Sequence, residues 1–148
     1  MAIRYKWGMA STPNAIIAAL GSKQNLGVHT ELFSEGIAEL MRKGVVNNSK
    51  KPIDHDKTVA AFCMGTKETY AFIDDNPAVE FRTIDYTNNP AVISALGNIV
   101  AINSALEIDL TGQATAESIG KSFYSGIGGQ ADFIRGAVLT PNGKSILV

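Results

Sequence analysis

Cysteine, surplus charge and long apolar runs are all scarce in this 148-residue chain. A single cysteine, Cys63, excludes an internal disulfide framework and fits a reducing compartment, so a cytoplasmic location is expected. Thirteen basic against fourteen acidic residues leave a formal net charge of −1. That balance carries no electrostatic footprint for nucleic acid or an anionic membrane. No apolar run reaches the roughly 20 residues that a membrane-spanning helix needs. The opening MAIRYKWGMAS lacks a long apolar core and does not read as a signal peptide. Internal repeats, low-complexity tracts and linkers are also missing.

What is present is the composition of one ordinary globular domain, 45% hydrophobic and 18% charged. Thr12-Pro13 has the form of a helix cap followed by proline at the first helical position, and Gly21 ends that helix. NLGVHT reads as a short buried strand. Ser34 then starts a helix with Ile37, Leu40 and Met41 on one face and Gly44 as its stop. TVAAFCMG is a continuous apolar run, the pattern of a parallel strand covered on both faces. TKETYAFIDD reads as a helix and VEFRTIDYT as a strand. Asn89-Pro90 repeats the cap-plus-proline device before AVISAL. NIVAINSALEIDLTG is the longest strand signal. KSFYSGIGGQADFIRGAVL reads as strand, glycine loop and helix, and GKSILV opens another strand. Strands alternating with short helices predict α/β layers around a mostly parallel sheet. In such sheets ligands bind beyond the carboxyl ends of the strands. Glu31, Asn88 and the loop from Gly126 to Gly129 all follow predicted strands and are placed on one rim.

A carboxylate at such a rim can attack an activated acyl group. Attack on a thioester gives a mixed anhydride and a thiolate, and the thiolate can return to leave a glutamyl thioester. Backbone donors at a glycine loop before a helix would serve the developing oxyanion. Glu31 with GIGG supplies both parts in outline. The same residues allow plainer readings. Glutamates at helix starts are commonly solvated or interact with the helix dipole. GIGGQA also fits the dinucleotide fingerprint G-x-G-x-x-A, but that motif needs an acidic residue about 20 positions on, and none follows Asp132. A tight turn needing positive φ is a further reading of the loop. Asn88 doubles as a turn residue beside the Asn89 cap. His29 shares the parity of Glu31 on an extended chain and reads as a packing or rim residue that could tune it. Asp54-His55-Asp56 has no further His or Cys support, so no metal site is assigned.

TPNAIIAAL, LGVHTELFSEGI, VAAFCMGTKETYAFIDDNP, IDYTNNPAVI, AINSALEIDLTGQ and FYSGIGGQADFIRGA occur together in this order. Jointly the chain resembles the acetyl-CoA hydrolase/transferase family, and within it the 4-hydroxybutyrate CoA-transferase type. The resemblance implies a CoA-transferase-like layered α/β fold and a glutamate nucleophile, which falls on Glu31. It puts the polar residue near the reacting carboxylate on Asn88. It puts CoA-contacting or oxyanion backbone at Gly128 and Gly129, with a second donor near Met9. At that last point the chain reads GMASTPNA, where family members resemble G-x-G-x-[IV]-[PA]-N-A. Coenzyme A enters as a substrate, with no tightly bound cofactor and no metal. The partners implied are an acyl-CoA and a small carboxylate of the acetate or 4-hydroxybutyrate class. Family enzymes carry a preceding domain of similar fold and continue past GKSILV. Residues 1–148 are therefore expected to be part of a C-terminal domain, completed by a homo-oligomer or a partner domain. An acyl-CoA hydrolase, with water as acceptor, and a non-catalytic piece are the alternatives.

Overall fold

The computed structural model describes residues 19–148. In chain order the elements are β1 (Leu32–Ser34), α1 (Glu35–Arg42), β2 (Thr58–Ala60), β3 (Phe62–Met64), α2 (Lys67–Ile73), β4 (Val79–Phe81), α3 (Ile84–Thr87), α4 (Pro90–Ser94), β5 (Val100–Asn103), β6 (Glu107–Ile108), β7 (Ala114–Thr115), β8 (Ser118–Ile119), β9 (Ser122–Phe123), α5 (Gln130–Val138) and β10 (Lys144–Leu147). Most of the first predicted helix, and the loop with Met9 before it, lie outside the described residues.

The first layer is parallel. β1 pairs with β3, β2 pairs with β4, and single bridges join Leu26 to Val46 and His29 to Val59 in the same sense. Its core gathers Leu26, Val28, Phe33, Ile37, Leu40 and Val46, with α1 folded onto it through the apolar face foreseen from its spacing. Gly44 ends that helix region at φ +70°, a conformation that favours glycine. The second unit is also parallel: β5 pairs with β10. α4 and α5 cover it over a core of Ile93, Leu96, Ile99, Ala101 and Phe133. Between β5 and α5 run two short antiparallel pairs, β6 with β7 and β8 with β9.

Four expected strands are altered. NLGVHT forms bridges rather than a continuous strand. Beside a few backbone bonds to Val45, Asn47, Asn48 and Val59, its backbone is held by side chains from the following loop. Asn48 Oδ1 accepts from Val28 N at 2.9 Å while its Nδ2 donates to Thr58 Oγ1 at 2.9 Å. Lys51 Nζ donates to Val28 O at 3.1 Å and Lys57 O at 2.7 Å. TVAAFCMG breaks at Ala61, and its two halves pair with different neighbours, β2 with β4 and β3 with β1. VEFRTIDYT is a strand only to Phe81 and then turns into α3. The cause is tertiary. Arg82 Nη2 meets Asp54 Oδ1 at 3.1 Å, and the Tyr86 hydroxyl lies 3.0 Å from both Asp54 oxygens. The long NIVAINSALEIDLTG signal splits into β5 and β6. Ala105 N there donates to Val148 O and Leu106 N to Thr115 O, so the chain leaves one partner for another.

Candidate active site

Glu31 sits at the break between the bridged segment and β1, not at the carboxyl end of a continuous strand. The break has a definite geometry. The Glu31 carbonyl accepts from Ala61 N at 2.9 Å and from Phe62 N at 3.0 Å. One carbonyl thus takes two consecutive N–H groups, while the pairing keeps one register across the break, His29 with Val59 before it and Leu32 with Phe62 after it, so both strands kink together with no residue inserted in either. The break at Ala61 and the bend at Glu31 are one feature seen from two strands. It leaves the Glu31 side chain half-buried while Thr30 before it and Leu32 after it are buried.

Asn88 reaches this carboxylate from a helix end 57 residues away in the chain. It caps the C-terminus of α3, with its backbone N–H donating to Ile84 O. Its Nδ2 donates to Glu31 Oε2 at 3.2 Å. Its Oδ1 accepts from Thr87 Oγ1 at 3.1 Å, which fixes the orientation of the amide. The side chain is therefore used, beyond the turn role its sequence position allows. Asn89 supplies the cap foreseen beside Pro90, its Oδ1 accepting from Ala91 N at 2.9 Å.

The start of α5 forms the third side. Asn88 and Asp132 line one concavity of about 390 Å³ with Ile84, Asp85, Asn89 and Pro90. Gly129 occupies the N-cap position of α5, is buried, and has φ −75°. Among the described residues the glycines at positive φ are Gly44, Gly97, Gly112 and Gly120, so the strained-turn reading of GIGG is corrected. Gly128 is half-buried and Gly126 exposed. First-turn N–H groups of a helix have no intrahelical partner and form the positive end of its dipole.

His29 joins these pieces. Its ring is fully buried, 6.1 Å from the Phe133 ring on α5 and 6.2 Å from Tyr86 on α3. Nε2 lies 2.9 Å from Thr87 O. Burial lowers its pKa to about 4, with the Thr87 bond opposing that shift and Lys51, Asp54 and Arg82 adding smaller effects. From the sequence this histidine reads as a packing or rim residue that could tune Glu31, and the structure makes it a buried one. Its apolar setting and its parity with Glu31 were visible, but its partner 58 residues away was not. Asp54 was also unforeseen as an interior group: its side chain turns inward to Arg82 and Tyr86, while His55 Nδ1 and Asp56 Oδ2 pair at 2.8 Å on the surface.

A layered, mostly parallel α/β fold thus carries a carboxylate at a strand break, an amide on that carboxylate and a glycine entry to a helix. The chain belongs to the acetyl-CoA hydrolase/transferase family. The sequence profile of the acetyl-CoA hydrolase/transferase C-terminal domain matches residues 65–148, which include Asn88, Gly128 and Gly129. The chain is 49% identical over 140 residues to the 4-hydroxybutyrate coenzyme A transferase of Clostridium kluyveri, covering 95% of this chain and 33% of that protein. It is 46% identical to a succinyl-CoA:cyclohexane-1-carboxylate CoA transferase of Geobacter metallireducens, covering 95% of this chain and 32% of that protein. Among solved structures, RipA from Yersinia pestis superposes with a TM-score of 0.90 at 39% identity, over 99% of this chain and 33% of that one. The 4-hydroxybutyrate CoA-transferase of Porphyromonas gingivalis gives a TM-score of 0.83 at 38% identity, over 99% and 34%. The chain spans about a third of the length of these relatives.

Proposed function

We propose that this chain carries the nucleophile-bearing part of a CoA-transferase, with Glu31 as nucleophile. The observation that supports this reading most is the Asn88–Glu31 hydrogen bond, made beside the start of α5. In the proposed reaction a Glu31 carboxylate oxygen attacks the thioester carbonyl carbon of an acyl-CoA. The C–S bond breaks and CoA leaves as thiolate, giving an acyl-glutamyl anhydride. The thiolate then attacks the glutamyl carbonyl and releases the acyl group as its carboxylate. The resulting glutamyl-CoA thioester is attacked by the acceptor carboxylate, and the thiolate returns to the new acyl carbonyl, freeing Glu31. Asn88 orients the attacking carboxylate. Backbone N–H groups at Gly128 and Gly129 stabilise the oxyanion or contact CoA, and the segment near Met9 contributes a second donor.

Coenzyme A is a substrate here, and no bound cofactor is needed. Acetate and 4-hydroxybutyrate are the acceptor class, the second standing in the name of the Clostridium kluyveri relative. We assign residues 1–148 to part of a C-terminal domain, completed by a partner domain or by a homo-oligomer in the cytoplasm. The test is covalent trapping in the assembled enzyme. Incubation with acyl-CoA followed by borohydride, which reduces thioesters, modifies the Glu31 peptide, and Glu31→Gln abolishes both labelling and turnover. Labelling at Glu35 or Glu107 instead, or full activity in Glu31→Gln, overturns the assignment. Thioester loss measured with and without acetate separates transfer from hydrolysis.

A further inference from the structure

We propose that His29 is a positioning residue: its Nε2–H holds the Thr87 carbonyl and thereby sets the Asn88 amide against the Glu31 carboxylate. A carbonyl oxygen only accepts, so at 2.9 Å the proton of this bond resides on Nε2. The other ring nitrogen, Nδ1, is buried and has no hydrogen-bond partner. That is an unfavourable arrangement for a residue whose only task is to fill space, since a phenyl ring would bury no polar atom.

The ring's use lies at the end of α3. Carbonyls in the last turn of a helix lack an intrahelical donor. Ile84 O and Tyr86 O receive the backbone N–H groups of Asn88 and Asn89, and Thr87 O receives the imidazole. Thr87 is itself fully buried, so water cannot take over this role. From Thr87 the chain passes directly to Asn88, whose Oδ1 is held by the Thr87 hydroxyl and whose Nδ2 faces Glu31. Glu31 then leads back through Thr30 to His29. The contacts close a ring in which three hydrogen bonds and two short backbone links fix one carboxylate. Tyr86 and Phe133 flank the imidazole, and the charged groups facing it are Lys51, Asp54 and Arg82. Burial keeps it neutral at pH 7, so Nδ1 carries no proton that would need an acceptor.

This link rests on the proposed transfer reading for its purpose, but its test does not use turnover. Long-range nitrogen–proton NMR on the labelled 148-residue chain should show the Nε2–H tautomer, unchanged from pH 8 to pH 5. An Nδ1–H tautomer would overturn the proposal. His29→Gln places an amide donor near the Nε2 position, whereas His29→Asn places it near Nδ1. At fixed pH, His29→Gln should keep the Asn88 side-chain amide signals at their wild-type positions, and His29→Asn should move them toward those of a free amide. Unmoved Asn88 signals in a folded His29→Asn chain, or equal displacement in both variants, would show a packing role only. If His29→Asn does not fold, the tautomer and the His29→Gln spectrum decide. Loss of these signatures leaves the proposed reaction standing, and failure of Glu31 trapping leaves this link standing.

Discussion

Asn88 Nδ2 and Glu31 Oε2 meet at 3.2 Å across 57 residues of chain. The bond joins a helix cap to a strand break, two features set independently by their own neighbours. Its consequence for the proposed reaction is orientation. Removing the amide in Asn88→Ala should slow glutamyl-thioester formation by about ten- to a hundredfold, the scale of one hydrogen bond to a charged group. Single-turnover trapping with acyl-CoA measures this directly. A wild-type rate in Asn88→Ala would remove Asn88 from the site.

The His29 ring makes stability depend on acid. Its pKa is about 4 in the folded chain, against an ordinary value of 6.5. As pH falls through that window the unfolded chain binds the proton first, so unfolding becomes easier. Stability should fall between pH 6.5 and pH 4 by about 3 kcal/mol from this residue, and the slope should end near pH 4. Denaturant unfolding at several pH values should show that slope in the wild type and a shallower one in His29→Gln. Parallel slopes for the two would place the acid sensitivity elsewhere.

Lys51 should act in the opposite pH range. Its ammonium is buried, which lowers its pKa from 10.5 to about 8, with Asp54 opposing the shift. Between those values the unfolded chain retains a proton that the folded chain has released. Stability contributed through Lys51 should therefore rise from pH 8 to about pH 10.5. Replacement by methionine keeps the apolar stem and removes the titration, so the alkaline rise should flatten. An unchanged rise in Lys51→Met would assign it to another group.

Local devices were readable from sequence because their partners are close in the chain. The Asn89-Pro90 cap needs only Ala91 N, and the apolar face of α1 needs only helical spacing. The division of TVAAFCM at Ala61 was not readable, because an apolar run reports burial but not which neighbour each half pairs with. The bend at Glu31 follows from that division and was missed with it. The end of β4 at Phe81 was hidden for a similar reason: Arg82 and Tyr86 are fixed by Asp54, which lies 32 residues before Tyr86. Glu31, Asn88 and Gly129 were placed on one rim by an argument about strand ends. Glu31 and Asn88 do meet, but through a strand break and a helix cap rather than two strand ends, and Gly129 stands at a helix start.

The segment between β5 and α5 is a candidate docking surface for the proposed partner domain. Leu110, Phe123 and Ile127 are nearly or fully exposed there, and Ile108 is 55% exposed. Side chains of this size are unfavourable in water and usually mark a covered surface. Hydrogen exchange across residues 106–127 should slow when the chain is combined with the proposed partner domain. Replacing Phe123 and Ile127 by serine should weaken that assembly while leaving the isolated chain's unfolding midpoint nearly unchanged. Equal exchange with and without the added part would mean that this surface faces solvent in the assembled protein.

Gly136 holds α5 against α4 and so spaces the two elements whose Asp132 and Pro90 line the concavity beside Asn88. A Cβ at this position would lie 2.3 Å from Ile93 Cγ2, 2.5 Å from Ile93 Cβ and 3.3 Å from Pro90 O. Ile93 is fully buried and β-branched, so it has little freedom to move aside. Gly136→Ala must then shift α5 outward, at a cost of about 1–3 kcal/mol, the usual range for overpacking a core. Because α4 begins two residues after Asn88, the same shift should also disturb the Asn88–Glu31 bond and slow trapping at Glu31 in the folded variant. Gly126 is the internal control. It lies in the glycine loop, has open space around its Cβ position and is not at positive φ. Gly126→Ala should change stability by less than about 0.5 kcal/mol. Chemical denaturation of both variants, followed by trapping at a denaturant-free pH 7, distinguishes the outcomes. Equal stability for the two would show that the α4–α5 contact yields freely, and the spacing argument would fall with it.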